Sequence, residues 1–173
     1  MKTLAGLFAG AAVILLSMMP ARASAPSIVT GGGTGTFNAD LDGDGDIDGS
    51  HFGFVVVTGP GTSARGHFMC QMAGNADFLG LKLMLVEGRV ATASFNDDGS
   101  MTFSGVAKVN LANGTVLTGM VFVVSVTPGG PGEGTMQLTV LGAFDGVPGD
   151  TAPGDGNYTL PVETVTTGQI AFH

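Results

Sequence analysis

The sequence predicts an all-β fold, an antiparallel meander that closes into a barrel, with a two-sheet β-sandwich as the alternative. Three observations carry that expectation. Apolar residues alternate with polar or small ones through most of the chain, Gly, Asn and Asp clusters interrupt them at short intervals, and no helical period occurs after about residue 23. A long run of strands joined by tight turns must curl, because a closed sheet removes the edges that would otherwise recruit other chains.

The first 23 residues read as a secretory signal, with Lys2 ahead of an apolar run from Leu4 to Met19 and Ala21-Arg22-Ala23 as a small-x-small cleavage site. The run is broken by Gly6, Gly10 and Ser17 and is short for a membrane span, which needs about 20 apolar residues. The expected product is a secreted, extracellular or periplasmic, single domain over residues 24–173 with no membrane span. Loss of Lys2 and Arg22 moves the net charge from −8 to −10. Only Arg65, Lys82, Arg89 and Lys108 then oppose the acids, so nucleic acid and anionic membranes are poor partners and a divalent cation is a good one.

Strands are expected over residues 34–38, 51–58, 64–72, 78–87, 89–96, 100–111, 115–127, 134–144 and 168–173. After the first comes the most distinctive stretch, treated below. Phe52, Phe54 and Val56 then share one face. Turns follow at Gly59-Pro60-Gly61 and at Glu87-Gly88, and Asp97-Asp98-Gly99 and Asn113-Gly114 offer the residues that hairpin turns require. Between those two, Met101, Phe103, Ala107 and Val109 face one way, and Thr102, Ser104 and Lys108 the other. Met120-Val121-Phe122-Val123-Val124 lacks a polar face and predicts a strand covered on both sides, or one at a partner interface. Met136, Leu138 and Val140 again share a face. The glycine-rich segments 128–134 and 145–157 read as loops that are mobile unless tied down, and where a ligand would be met. Cys70, alone in the chain, reads as a small buried residue.

Residues 40–48, Asp-Leu-Asp-Gly-Asp-Gly-Asp-Ile-Asp, place five carboxylates in nine positions. Their mutual repulsion, about 1 kcal/mol per close pair even in water, calls for a counter-ion. The spacing is that of an EF-hand-type calcium loop. Asp40, Asp42 and Asp44 hold positions 1, 3 and 5, Gly45 the turn at 6, Asp46 position 7 and Asp48 position 9. Calcium is a hard ion that takes 6–8 oxygens, and this stretch offers only oxygens. His51 stands at position 12 in place of the bidentate Glu. Water, or a carboxylate such as Asp97 or Asp98, would then complete the shell. The glycines before the loop and Phe52-Gly53-Phe54 after it predict that it joins two strands.

Enzymatic chemistry finds little support. His67 and Cys70 are three apart on a strand and point to opposite faces, and no nucleophile elbow, phosphate loop or zinc spacing is present. With no Trp and a single Tyr158, the stacking platforms of sugar-binding modules are scarce. The leading expectation is a non-enzymatic module with a calcium-ordered loop and a structural, adhesive or surface-binding role, its protein or glycan partner unknown. A barrel carrying a small apolar ligand inside comes second, and a hydrolase third.

In order along the chain, Gly31-Gly32-Gly33, Phe52-Gly53-Phe54, Phe103-Ser104-Gly105, Phe144-Asp145-Gly146 and the closing Gly168-Gln169-Ile170-Ala171-Phe172-His173 resemble the landmarks of the small secreted bacterial domain labelled post-COAP. The likeness spans most of the chain after the signal. It implies an exported all-β domain and supplies no catalytic residue. The 40–48 stretch looks like an insertion relative to that pattern.

Overall fold

The computed structural model describes residues 27–38, 40, 48–73, 84–111 and 113–173. The predicted signal segment lies outside the described residues. Among them the chain forms β1 (Ile28–Phe37), β2 (Gly49–Thr58), β3 (Ser63–Ala73), β4 (Met84–Phe95), β5 (Met101–Leu111), β6 (Val116–Thr127), β7 (Thr135–Leu141), β8 (Tyr158–Thr159) and β9 (Glu163–Phe172). The first seven pair antiparallel with their chain neighbours, except that β7 meets β1 only through β9. Since β6 also pairs with β7, the hydrogen bonding runs round a closed ring, and β8 is an appendage on β7. The sheet is one, not two, which answers the alternative left open by the sequence.

Alternation decides what fills the ring. Phe52, Phe54 and Val56, then Met101, Phe103, Ala107 and Val109, then Met136, Leu138 and Val140 are all buried, as their period of two predicts. Phe68 is the hub: its ring lies 5.1 Å from that of Phe122 and 5.8 Å from that of Phe103, which in turn meets Phe54 at 5.2 Å. Bulky rings inside a narrow ring of strands need small residues opposite them. Gly31 supplies one such place, since a Cβ there would lie 2.2 Å from the Phe54 ring. The early glycines therefore sit inside β1, which begins at Ile28 rather than at residue 34.

Two other glycine readings need correction. Glu87-Gly88 is no reversal: β4 runs straight through it, pairing Gly88 with Phe68 and Ala107. Gly88 is required because a Cβ would come within 2.6 Å of the Phe122 ring and 2.9 Å of Ala107. The 128–134 segment is no loose loop either. Gly129 and Ile170 exchange both backbone bonds at 3.0 and 2.9 Å, and Gly132 and Gly134 bond Val165 at 2.9 and 2.8 Å. It prolongs the pairing of β9, which itself starts at Glu163 and not at residue 168.

The run from Met120 to Val124 is covered on one side only. Phe122 and Val124 are buried, whereas Val121 is 42 % exposed beside Val106, its register partner, at 53 %. Where the turns were expected to need left-handed backbone, Gly99 and Gly114 have φ of 83° and 84°.

Two stability outcomes follow. Truncating the hub, Phe68→Ala, is expected to cost about 3–5 kcal/mol by urea unfolding. Gly88→Ala is expected to destabilise by about 1–3 kcal/mol through overpacking; a neutral result would mean that the Phe122 ring does not lie over this glycine.

Candidate functional site

β1 and β2 stay in register to their ends, Thr36 opposite Gly49, and the Phe37 amide donates to the Asp48 carbonyl at 2.9 Å. The acidic stretch therefore joins two paired strands, as its flanks predict. Of its five aspartates, Asp42, Asp44 and Asp46 lie outside the described residues, along with Ile47. Asp40 is exposed at one end. Asp48, at the other, is 2 % exposed. It falls on the inward face of β2 with Ser50 and Phe52, so its carboxylate belongs to the end of the ring interior. It is near enough to Tyr158 to help raise that phenol, which burial raises first and Asp150 second.

One of the foreseen completions of the calcium shell, a carboxylate from the Asp97–Asp98 turn, lies far from the β1–β2 connection. His51 stands in β2 opposite Thr34 and Gln71 and is exposed. The Asp97–Asp98 turn follows Phe95, next to the β2–β3 hairpin: Ser63 is opposite Thr92, and the Ala93 amide donates to the Thr62 carbonyl at 2.9 Å. That is the other end of the ring. Asp98 is spent there on the Ser100 amide at 2.9 Å and hydroxyl at 2.6 Å, which hold its carboxyl below the usual range. Among the described residues no three His, Cys, Asp or Glu side chains converge as a metal group.

The aspartates of 145–157 organise their own chain. Asp150 accepts from the amides of Gly146, Ala152 and Thr159 at 2.8, 3.0 and 3.2 Å, and these amides hold its carboxyl low. Asp145 accepts from Gly154 at 2.6 Å and Asp155 from Asn157 at 2.8 Å. Tyr158 donates to the Pro148 carbonyl at 3.2 Å. This loop is tied down by its own aspartates and by Tyr158.

A residue that no motif announced lies at the same end of the ring as Asp48. Glu163 opens β9 opposite Phe37 and Met136 and is 2 % exposed, as is Ser50. Its carboxylate lies over Gly35, where a Cβ would be 2.6 Å from Oε2. The Ser50 hydroxyl donates to both oxygens, at 2.9 and 2.7 Å. Glu163 thus reaches across β1 and ties β9 to β2. Burial pushes its carboxyl up to about 7, against the opposing effect of the Ser50 bonds. Cys70 lies beneath the same serine and is buried; burial pushes its thiol far up, with the Glu163 charge adding to this. Ser50 next to a carboxyl that titrates near neutrality has the elements of a nucleophile and base. Both are 2 % exposed. The signal in the sequence was the period of two, which puts Glu163 on the face of Val165 and Ser50 on that of Phe52.

No protein-family model, curated protein or solved structure matches this chain.

Folded Glu163 keeps its proton up to about pH 7, whereas the unfolded group loses it near 4.5. The native state therefore binds more protons between those values. Its stability contribution is complete below about pH 4.5 and is lost as pH rises through about 7, a change on the order of 3 kcal/mol. Glu163→Gln is expected to flatten this decline relative to the wild type and to be the more stable of the two at pH 8. Parallel urea-unfolding curves at pH 5 and pH 8 check this, and equal slopes for both proteins would refute it.

Proposed function

We propose that this chain is an exported, non-enzymatic β module whose β1–β2 connection is ordered by calcium, with a structural or adhesive role outside the cytoplasm. One observation carries the reading. The Phe37–Asp48 backbone bond brings together the two ends of the connection whose sequence carries Asp40, Asp42, Asp44 and Asp46. Carboxylates this close in sequence repel unless an ion joins them, and their spacing is the one calcium uses. Asp48 enters as the position that commonly ligates through water. Water, rather than His51 or Asp98, completes the shell. Affinity then falls at the weak extracellular end of the range, about 10⁻⁴ to 10⁻³ M.

The filled interior supports this reading over a barrel that carries an apolar ligand inside, because Phe54, Phe68, Phe103 and Phe122 occupy that volume. The burial of Ser50 and Glu163 supports a module over a hydrolase.

Calorimetry on the chain from residue 24 is expected to show calcium binding with a Kd between about 0.1 and 1 mM, and its loss in the Asp42→Ala/Asp44→Ala double variant. Saturating calcium is expected to raise unfolding stability by about 2 kcal/mol at thirtyfold excess over Kd. Identical heats in the two proteins, or none in either, would remove calcium from the account.

A further inference from the structure

The outer face of the ring carries an amphipathic track that the sequence does not display, because its members come from five strands. The register sets His67 of β3 opposite Arg89 of β4, Arg89 opposite Val106 of β5, Val106 opposite Val121 of β6, and Val121 opposite Leu141 of β7. One half of this row is polar, with the Arg89 guanidinium, and the other apolar. In the neighbouring row Glu87 stands opposite Lys108, and Lys108 opposite Thr118.

Between the rows lies a groove of about 400 Å³ lined by His67, Glu87, Arg89, Val106, Lys108 and Thr118. Its depth comes from a bulge: the register skips between Ala107 and Lys108, and Gly119, with φ of 76°, is left without a partner on β5. A volume of this size suits a small molecule, since ligand pockets begin at about 300 Å³.

The charges are arranged unequally. Glu87 Oε1 is taken by His67 Nε2 at 3.4 Å. Among the described residues, Arg89 and Lys108 make no ion pair. They flank Val106, which with Val121 forms an exposed apolar pair on the outer face. The chain as a whole is strongly acidic, so a groove where Arg89 and Lys108 outnumber the single carboxylate of Glu87 is a local reversal of its field.

We propose that this groove binds an amphiphilic anion: a carboxylate or sulfate head held by Arg89 and Lys108, with an apolar body lying along Val106, Val121 and Leu141. From Arg89 to Leu141 the track crosses three strand spacings, about 14 Å, which accommodates a medium-length alkyl chain. Ionised hydrogen bonds from Arg89 fix the head, and the valines shed water from the body. The ligand sits outside the ring, whose interior is filled. The groove shares no residue with the β1–β2 connection, so the inference stands whether or not calcium binds there.

The test is titration of the chain from residue 24 with monomeric decanoate, in calcium and again in EDTA, followed by calorimetry and by amide shifts along β3–β7. Decanoate is expected to bind in both conditions. Arg89→Gln/Lys108→Gln and Val106→Thr/Val121→Thr, all on the exposed face, are each expected to weaken it about tenfold or more. Acetate, which keeps the head, and decyltrimethylammonium, which keeps the tail and reverses the charge, are expected to bind at least tenfold more weakly. Absence of decanoate binding, equal affinity for either control, or unchanged affinity in either variant overturns the proposal. Phosphatidylglycerol vesicles separate a free amphiphile from a lipid surface: capture on vesicles without binding of monomeric decanoate overturns it in favour of a membrane contact.

Discussion

Closure of the sheet rests on β9, which must pair with β1 along its length and with β7 at its first two residues. The pairing with β7 is short, Thr135–Thr164 and Met136–Glu163, and the chain strengthens it in two ways. The segment after β6 continues along β9 through Gly129, Gly132 and Gly134. At the other side, Glu163 crosses over Gly35 and is held by Ser50. Without that seam β1 and β7 would be open edges with unpaired amides and carbonyls, the condition that invites aggregation.

The seam explains why an ionisable group is kept in the interior. A fully apolar residue in place of Glu163 would spare the desolvation that lifts its carboxyl towards neutrality, but would not bridge two strands across a third. Protonated, the group loses its burial penalty and still accepts from Ser50. The ring is therefore tightest when this carboxyl is neutral. Asp48 and Tyr158 lie at the same end, so the acidic connection is rooted in a polar floor instead of the phenylalanine core.

Filling the ring pushes recognition to its outside and its ends. Inside, Phe68 and its neighbours meet glycines that make room for rings. Outside, hydroxyl pairs such as Thr34–Thr166 at 2.8 Å and Thr92–Ser104 at 2.6 Å satisfy one another across strands. The groove over β3–β6 interrupts this neutral surface with charge and exposed valine. The two candidate sites divide the chemistry between them, oxygens for a cation at the β1–β2 connection and cations for an anion on the β3–β6 face.

The sequence by itself determined the all-β class, the faces of β2, β5 and β7, the hairpin turns at Gly99 and Gly114, and the acidic motif, because each depends on residues within a few positions of one another. Alternation with period two is a local property, and so is metal-loop spacing. Only the tertiary structure decided what lies opposite what. Gly88 reads as a turn until the Phe122 ring is seen above it, and residues 128–134 read as loose until β9 comes alongside. Met120 to Val124 reads as buried twice until the ring leaves its outer face uncovered. The partnership of Ser50 with Glu163, and of Arg89 with Val106 and Val121, depends on strand register across the closed sheet. Register is fixed by ring closure and side-chain volume, and neither is a property of any short stretch of chain.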